Sequence, residues 1–357
     1  MNYVYQDRGK KAVAIWLMIG VGMIIVQVLL GGITRLTGSG LSITEWDVVT
    51  GTLPPLNEQQ WLTEFQKYRQ TPQFRLLNTD FTLRDFKFIF FWEWFHRVWA
   101  RLIGIVFVIG FIFLVARKYL RKEMINPLLI LFLLGALQGA VGWIMVASGL
   151  TGDAVYVKPT RLALHFILAL GLLCYTYWFA LRLLVPASER IVAPEVKRLT
   201  SIILVILGIQ LIYGGLMAGH KAATVAPTWP TINGMWVPDN LWKDRPVLLN
   251  LIDNTITVHF IHRNLAYLVT ILIIILYAKI RRVQVPPMIK RWQRLPLILV
   301  VIQVMLGIFS ILTSPGIIPN HWGNFEWMAQ LHQLVAMFLL LSIVQLLYLF
   351  SGGRQQA

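Results

Sequence analysis

The chain has 357 residues, 57% of them hydrophobic and only 13% charged, with a mean hydropathy of +0.65. A soluble globular domain has roughly half apolar and a quarter charged residues, and a disordered chain does not carry 14 Trp, 19 Phe and 11 Tyr, so both classes are excluded. The net charge of +16 would suggest nucleic acid in a soluble protein. In so apolar a chain it bears instead on which membrane face the basic residues occupy, and no nucleic-acid partner is expected. The single cysteine, Cys174, rules out an internal disulfide and a cysteine-built zinc or iron–sulfur site.

Eight stretches reach the ~20 residues that cross about 30 Å of hydrocarbon. The first lies between Lys11 and Arg35, which enclose 23 residues free of Asp, Glu, Lys and Arg. The second, roughly Phe88 to Ala116, is apolar except near its start, where it carries Glu93, His96, Arg97 and Arg101. Glu123 to Asp153 enclose 29 such residues, Arg161 to Arg182 enclose 20, and Arg198 to Lys221 enclose 22. The sixth, roughly Thr255 to Ala278, carries His259, His262 and Arg263 near its start. Arg294 to Glu326 enclose 31 and Glu326 to Arg354 enclose 27.

With the N-terminus inside, 18 of the 32 Lys and Arg fall in inner segments and 11 in outer loops; Arg97, Arg101 and Arg263 lie within spans. The excess predicts cytoplasmic termini. The first span is longer than a signal-peptide core and no A-x-A-like site follows it, so it reads as an uncleaved anchor. With no Arg- and Ser-rich transit segment before it, a bacterial plasma membrane is expected. In the first outer loop, Arg35 to Lys87, the segment Asn57 to Arg69 reads as a short amphipathic helix at the interface, with Trp61 and Phe65 at i and i+4. The second large loop, Lys221 to Asn254, holds Trp229, Trp236 and Trp242. These tryptophans fit an aromatic belt, or lids over a ligand site.

The spans repeat. Gln27-Val-Leu-Leu-Gly31-Gly32 matches Gln210-Leu-Ile-Tyr-Gly214-Gly215, and Gln138-x-x-x-Gly142 matches Gln303-x-x-x-Gly307 at an offset of 165. His96-Arg97 matches His262-Arg263 at 166, and His165 matches His332 at 167. Four landmarks in one order predict an all-α integral membrane protein whose eight transmembrane helices form two pseudo-symmetric four-helix bundles, residues 1–190 and 191–357.

His96, His165, His262 and His332 all sit near the outer starts of even-numbered spans. Two per half, on alternate helices, is the arrangement that axial ligation of a planar macrocycle requires. Structural or proton-relay histidines are the other reading. His220, His259 and His321 read as interfacial. Arg97 and Arg263 could reach propionates as bidentate donors or snorkel to the interface. The matched glycines give a flat ring room, or serve ordinary helix packing. Glu93, one turn before His96, has His259 as its counterpart, so the halves differ there. It reads as a functional carboxyl or as the i,i+4 partner of Arg97.

The four histidines, the Glu93-Trp-Phe-His96-Arg97 run, the duplicated Gln-x-x-x-Gly-Gly, and Gly32-Ile-Thr-Arg-Leu-Thr-Gly-Ser-Gly-Leu-Ser followed by Trp46 and Gly51-Thr-Leu-Pro-Pro-Leu resemble the haem A synthase family, from the first span to the last. With no cysteine in the first outer loop, the chain resembles the family's cysteine-free type. The resemblance implies oxidation of the methyl group at position 8 of haem O to a formyl group, giving haem A for cytochrome oxidase. It implies that His262 and His332 hold a haem b cofactor and that His96 and His165 serve the substrate site, with Glu93 as its acidic residue. The methyl would be oxidised twice, the geminal diol losing water, with Glu93 as proton acceptor or electrostatic stabiliser. Partners implied are haem O, haem O synthase and an electron-transfer protein, with a homo-oligomer left open. A di-haem cytochrome b that only passes electrons is the alternative, and a proton-coupled transporter a third.

Overall fold

The computed structural model describes residues 2–45, 50–318 and 321–352; Trp46 and Arg354 lie outside them. Among the described residues twelve α-helices run in order: α1 Asn2–Leu36, α2 Glu58–Arg69, α3 Pro72–Leu77, α4 Leu83–Ala116, α5 Lys122–Ala147, α6 Pro159–Leu184, α7 Pro194–Gly219, α8 Ala222–Val225, α9 Thr255–Ile280, α10 Pro287–Trp292, α11 Leu295–Thr313 and α12 Asn324–Leu349. Among the described residues, α1, α4, α5, α6, α7, α9, α11 and α12 supply eight helices long and apolar enough to cross a membrane. The expected span count holds. Helix starts follow local chemistry: Pro159 and Pro194 open α6 and α7, and Asn254 Oδ1 accepts the Thr257 N–H at 3.0 Å to cap α9.

The second span is longer than its apolar run. Thr82 and Asp85 form a reciprocal capping box, and 34 residues at 1.5 Å per residue make α4 about 51 Å long. Its first turns therefore reach beyond the apolar layer, and the first large loop folds onto them. Asn57 caps α2, so the helix expected at 57–69 is present. Trp61 meets Phe90 with ring centroids 5.0 Å apart, Phe65 stacks on Phe86 at 5.2 Å and Tyr68 on Phe86 at 5.3 Å. The apolar face of α2 is thus committed to α4. In the second large loop Trp229, Trp236 and Trp242 are all exposed, and Trp229 also lines the cavity described below.

The main core joins Leu170 and Leu173 of α6, Ile203 and Leu207 of α7, Val269 and Ile273 of α9, and Met337 and Ile343 of α12. Around it α1 packs on α4 and α6, α7 on α9, and α11 on α12, while α6 lies against α7 and α12. The linker after α6 is tied to the chain's end: Arg190 Nη2 donates to Ser351 O at 2.6 Å and its guanidinium stacks on Tyr348. Where α6 meets α7 the backbones nearly touch. A Cβ on Gly215 would lie 2.9 Å from Ala163 Cα, and one on Gly219 2.7 Å from Pro159 Cα. Without a hydrophobic drive between lipid-embedded helices, such close approach is what packing rests on. Gly215→Leu should therefore force α6 and α7 apart at a cost of about 1–3 kcal/mol, lowering the melting temperature in detergent. An unchanged melting curve would show that the junction has slack.

Candidate functional site

The four histidines expected from sequence sit on α4 (His96), α6 (His165), α9 (His262) and α12 (His332), and all line one cavity of about 1480 Å³. Pockets for single small molecules measure about 300–1,000 Å³. This one has space for more.

Each imidazole has the same two neighbours. A glutamine on the preceding span reaches it or its backbone: Gln27 Nε2 donates to His96 O at 3.2 Å, and Gln138 Nε2 reaches His165 Nδ1 and O, both at 3.1 Å. Gln210 Nε2 lies 3.4 Å from His262 Nε2, and Gln303 Nε2 lies 3.2 Å from His332 Nε2. One turn on, a glycine faces the ring. A Cβ on Gly31 would stand 3.4 Å from His96 Nε2, on Gly142 2.8 Å from His165 Cε1, on Gly214 3.5 Å from His262 Cε1, and on Gly307 2.9 Å from His332 Cε1. At His165, His262 and His332 the amide meets the ring itself, and at His165 and His332 only a glycine leaves the ring its room.

His262 and His332 have ring centroids 6.4 Å apart. An imidazole nitrogen binds a transition metal at about 2.0–2.1 Å and the ring centre lies roughly 1.1 Å behind it, so opposed axial ligands of one metal have centroids about 6.2–6.4 Å apart. The pair is spaced for that. His332 Nδ1 donates to Gln303 O at 3.0 Å, which makes Nε2 the ring's acceptor; there it meets the Gln303 amide at 3.2 Å, a contact that a metal bound at Nε2 would displace. The buried oxygens of Gln27, Gln138, Gln210 and Gln303 and His262 Nδ1 have no hydrogen-bond partner. Unmet polar atoms clustered on one cavity mark the place of a ligand. Among the described residues no three His, Cys, Asp or Glu side chains gather into a metal cluster. Paired imidazoles suit a macrocycle that brings its own equatorial nitrogens.

Glu93 is 3% exposed and bound by four donors: Ser42 N (2.7 Å), Ser42 Oγ (2.7 Å) and Ile43 N (3.0 Å) on Oε2, and Arg97 Nη2 (2.6 Å) on Oε1. The i,i+4 pair is real, and the carboxylate also lines the cavity. Arg97 further donates to Ile43 O and Glu45 O, each at 3.2 Å. Arg263 copies this: Nη1 donates to Pro230 O (2.9 Å) and Thr231 O (2.8 Å), and Nη2 to Thr228 O (2.8 Å) and His259 Nε2 (2.9 Å). Both arginines hold down the large loop of their own half. Their carbonyl partners lie far off in sequence, so neither spacing nor charge could announce this contact.

Two residues sit elsewhere than sequence reasoning put them. His259 is not interfacial; it is fully buried, because its place three residues before His262 turns it under the loop toward Arg263. Ser42, unremarked within the Gly-Ser-Gly-Leu-Ser run, is a principal donor to Glu93. The signal available was that run itself, rich in small hydroxyls and glycines that free backbone N–H groups to bind an anion.

The profile of the cytochrome oxidase assembly protein family, COX15-CtaA, matches residues 14–344. A protein of Flavobacterium psychrophilum named heme A synthase is 38% identical over 96% of this chain and 99% of its own length. One of Methylobacterium radiotolerans with the same name is 42% identical over 94% and 89%. One of Rhodopseudomonas palustris, also so named, is 49% identical over 75% and 74%. No solved structure matches the chain. From its first span to its last, the chain belongs to the COX15-CtaA family of cytochrome oxidase assembly proteins.

Proposed function

We propose that this protein is a haem A synthase, an oxidoreductase that converts the methyl group at position 8 of haem O to a formyl group for use in cytochrome oxidase. The observation that carries the reading is the glutamine–glycine–histidine arrangement, built four times around one cavity, together with relatives of that name along nearly the whole chain. The halves 1–190 and 191–357 divide the work. His262 and His332, spaced at 6.4 Å, hold haem b, and Arg263 Nε, which has no partner, is left to donate to a propionate. Haem b bound there supplies one-electron redox chemistry, its potential set by the two imidazoles and their hydrogen-bond partners.

His96 and His165 position haem O in the first half, and Arg97 adds positive charge beside Glu93 for the substrate's carboxylates. Glu93 supplies the asymmetry that chemistry needs. Its Oε2 already accepts three hydrogen bonds, so its strongest contribution is a fixed negative charge facing the carbon that becomes electron-poor. Oε1, which accepts from Arg97, is the atom left to take a proton. Taking the methyl to the geminal diol removes four electrons and four protons and adds the oxygens of two waters, the electrons leaving to the external electron-transfer partner; the diol then loses one water to give the aldehyde.

Haems extracted from cells that make haem O, with and without this protein, test the reading: mass analysis should find haem A only with it, and unchanged haem O beside folded protein would refute it. In the same assay Glu93→Gln should cut haem A per folded protein by about a hundredfold or more while the resident haem stays. Arg97→Gln controls for anchoring of the loop. Equal, modest losses from both would reduce Glu93 to a loop tether. We further propose that both termini are cytoplasmic. Reporters fused after Lys122, Arg198 and Arg291 should then read as cytoplasmic and those at Tyr68 and Asp239 as external, and one reversed site would break this topology.

A further inference from the structure

The first large loop holds three polar side chains whose orientations force one another. Gln73 of α3 is buried, and its Nε2 donates to Gly38 O at 3.3 Å and to Val155 O at 3.4 Å. Backbone carbonyls only accept, so the amide nitrogen must face them and Oε1 must face the other way. There Oε1 accepts from the Tyr68 hydroxyl at 3.1 Å. With its one proton committed, that hydroxyl can only accept again, and it does so from Asn78 Nδ2 at 2.8 Å. The nitrogen of Asn78 is thereby held toward Tyr68, and its Oδ1 is turned away. Among the described residues no group donates to that oxygen. Burial pushes the Tyr68 hydroxyl up to about 12, against the Asn78 hydrogen bond and with help from the Glu93 charge. It stays protonated at neutral pH, so the chain of orientations holds.

Gln73, Leu77 and Asn78 line the histidine cavity, as Glu93 does. Asn78 is half-buried at the end of α3, and Leu77, Thr79 and Asp80 beside it are exposed, so here the cavity wall meets the outer surface. The segment that Gln73 holds at Gly38 is the one that binds Glu93 through Ser42 and Ile43. The chain from Gly38 to Ser42 spans at most about 14 Å. The second large loop offers nothing comparable. Asn250 donates to Asp244 O and Val247 O, and Asn254 to Asn240 O, and neither lines the cavity. Among the described residues of the two large loops, only the one over Glu93 presents a side-chain amide there.

We propose that Asn78 holds the water whose oxygen enters the substrate, with Tyr68 and Gln73 as positioning residues that fix its amide. A water that attacks carbon needs its hydrogens held by acceptors so that a lone pair is free, and Asn78 Oδ1 is such an acceptor. In each of the two oxidations a C–H bond breaks and a C–O bond to water forms. Two electrons leave to the external electron-transfer partner and two protons are released, the water's passing to Glu93. The inference rests on the haem A synthase reading and adds to it the residue that handles the second reactant.

The test needs no electrons. A formyl group exchanges its oxygen with water through the geminal diol: water adds to the carbonyl carbon, and loss of the original oxygen as water leaves the new one in place. Purified protein retaining its resident haem, in nanodiscs, is loaded with haem A and moved into heavy-oxygen water, and uptake of the label is read by mass. The wild type should exchange faster than haem A in empty nanodiscs. Asn78→Leu should slow exchange about tenfold or more. Tyr68→Phe, which lets the amide turn, should slow it about two- to tenfold, the worth of one hydrogen bond. Asn78→Asp keeps an acceptor oxygen and should stay near the wild-type rate. If Asn78 only ties α3 to Tyr68, Asp, which has no N–H to donate, will be as poor as Leu, and that result would overturn the proposal. So would a wild type no faster than empty nanodiscs. Resident haem content and melting temperature report folding; where Asn78→Leu does not fold, an unslowed Tyr68→Phe overturns the proposal by itself. Fast exchange in a protein that makes no haem A in cells would instead defeat the enzymatic reading and leave the water site standing.

Discussion

The site depends on one steric constraint: two of its imidazoles, those of His165 and His332, can lie across the neighbouring helix only because that helix has no side chain there. At Gly142 and Gly307 even a methyl group would come within 3 Å of a ring atom of His165 and His332. The glutamine one turn earlier works with that space, placing an amide against the ring or its backbone at all four positions. A helical repeat of four residues brings both to one face, so one turn of helix forms half of each histidine's socket. The arrangement recurs on four span pairs, α1 with α4, α5 with α6, α7 with α9 and α11 with α12, which makes the pair, rather than the four-helix half, the smallest unit that repeats.

The departures from the repeat are where the proposed division of labour resides. In both halves an arginine follows the histidine and ties down a loop, but the residue beneath it is Glu93 in one half and His259 in the other. A carboxylate bonded by four donors is a fixed negative charge; an imidazole that accepts from Arg263 in the same place offers none.

Much of this was readable before any coordinates. Span count follows from apolar length, and the histidine, glutamine and glycine landmarks are visible because helical spacing is short-range and regular. The docking of α2 on α4 was half visible: Trp61 and Phe65 mark an apolar face, but not what covers it. Arg97 and Arg263 were not legible as loop clamps, since their acceptors are backbone carbonyls, which carry no residue identity. His259 was misplaced for a related reason. Distance from a span's end does not report depth when a loop folds back over that end, as residues 228–231 do over Arg263.

The central claim is that one histidine pair keeps a haem and the other receives one. The most direct measurement is the low-spin bis-imidazole signal of the purified protein, read by electron paramagnetic resonance and by haem content per chain, in His262→Ala and in His165→Ala. The account predicts that the first loses the resident haem and its signal while the second keeps both. Equal loss in the two variants would contradict it and point to a single site shared by all four histidines.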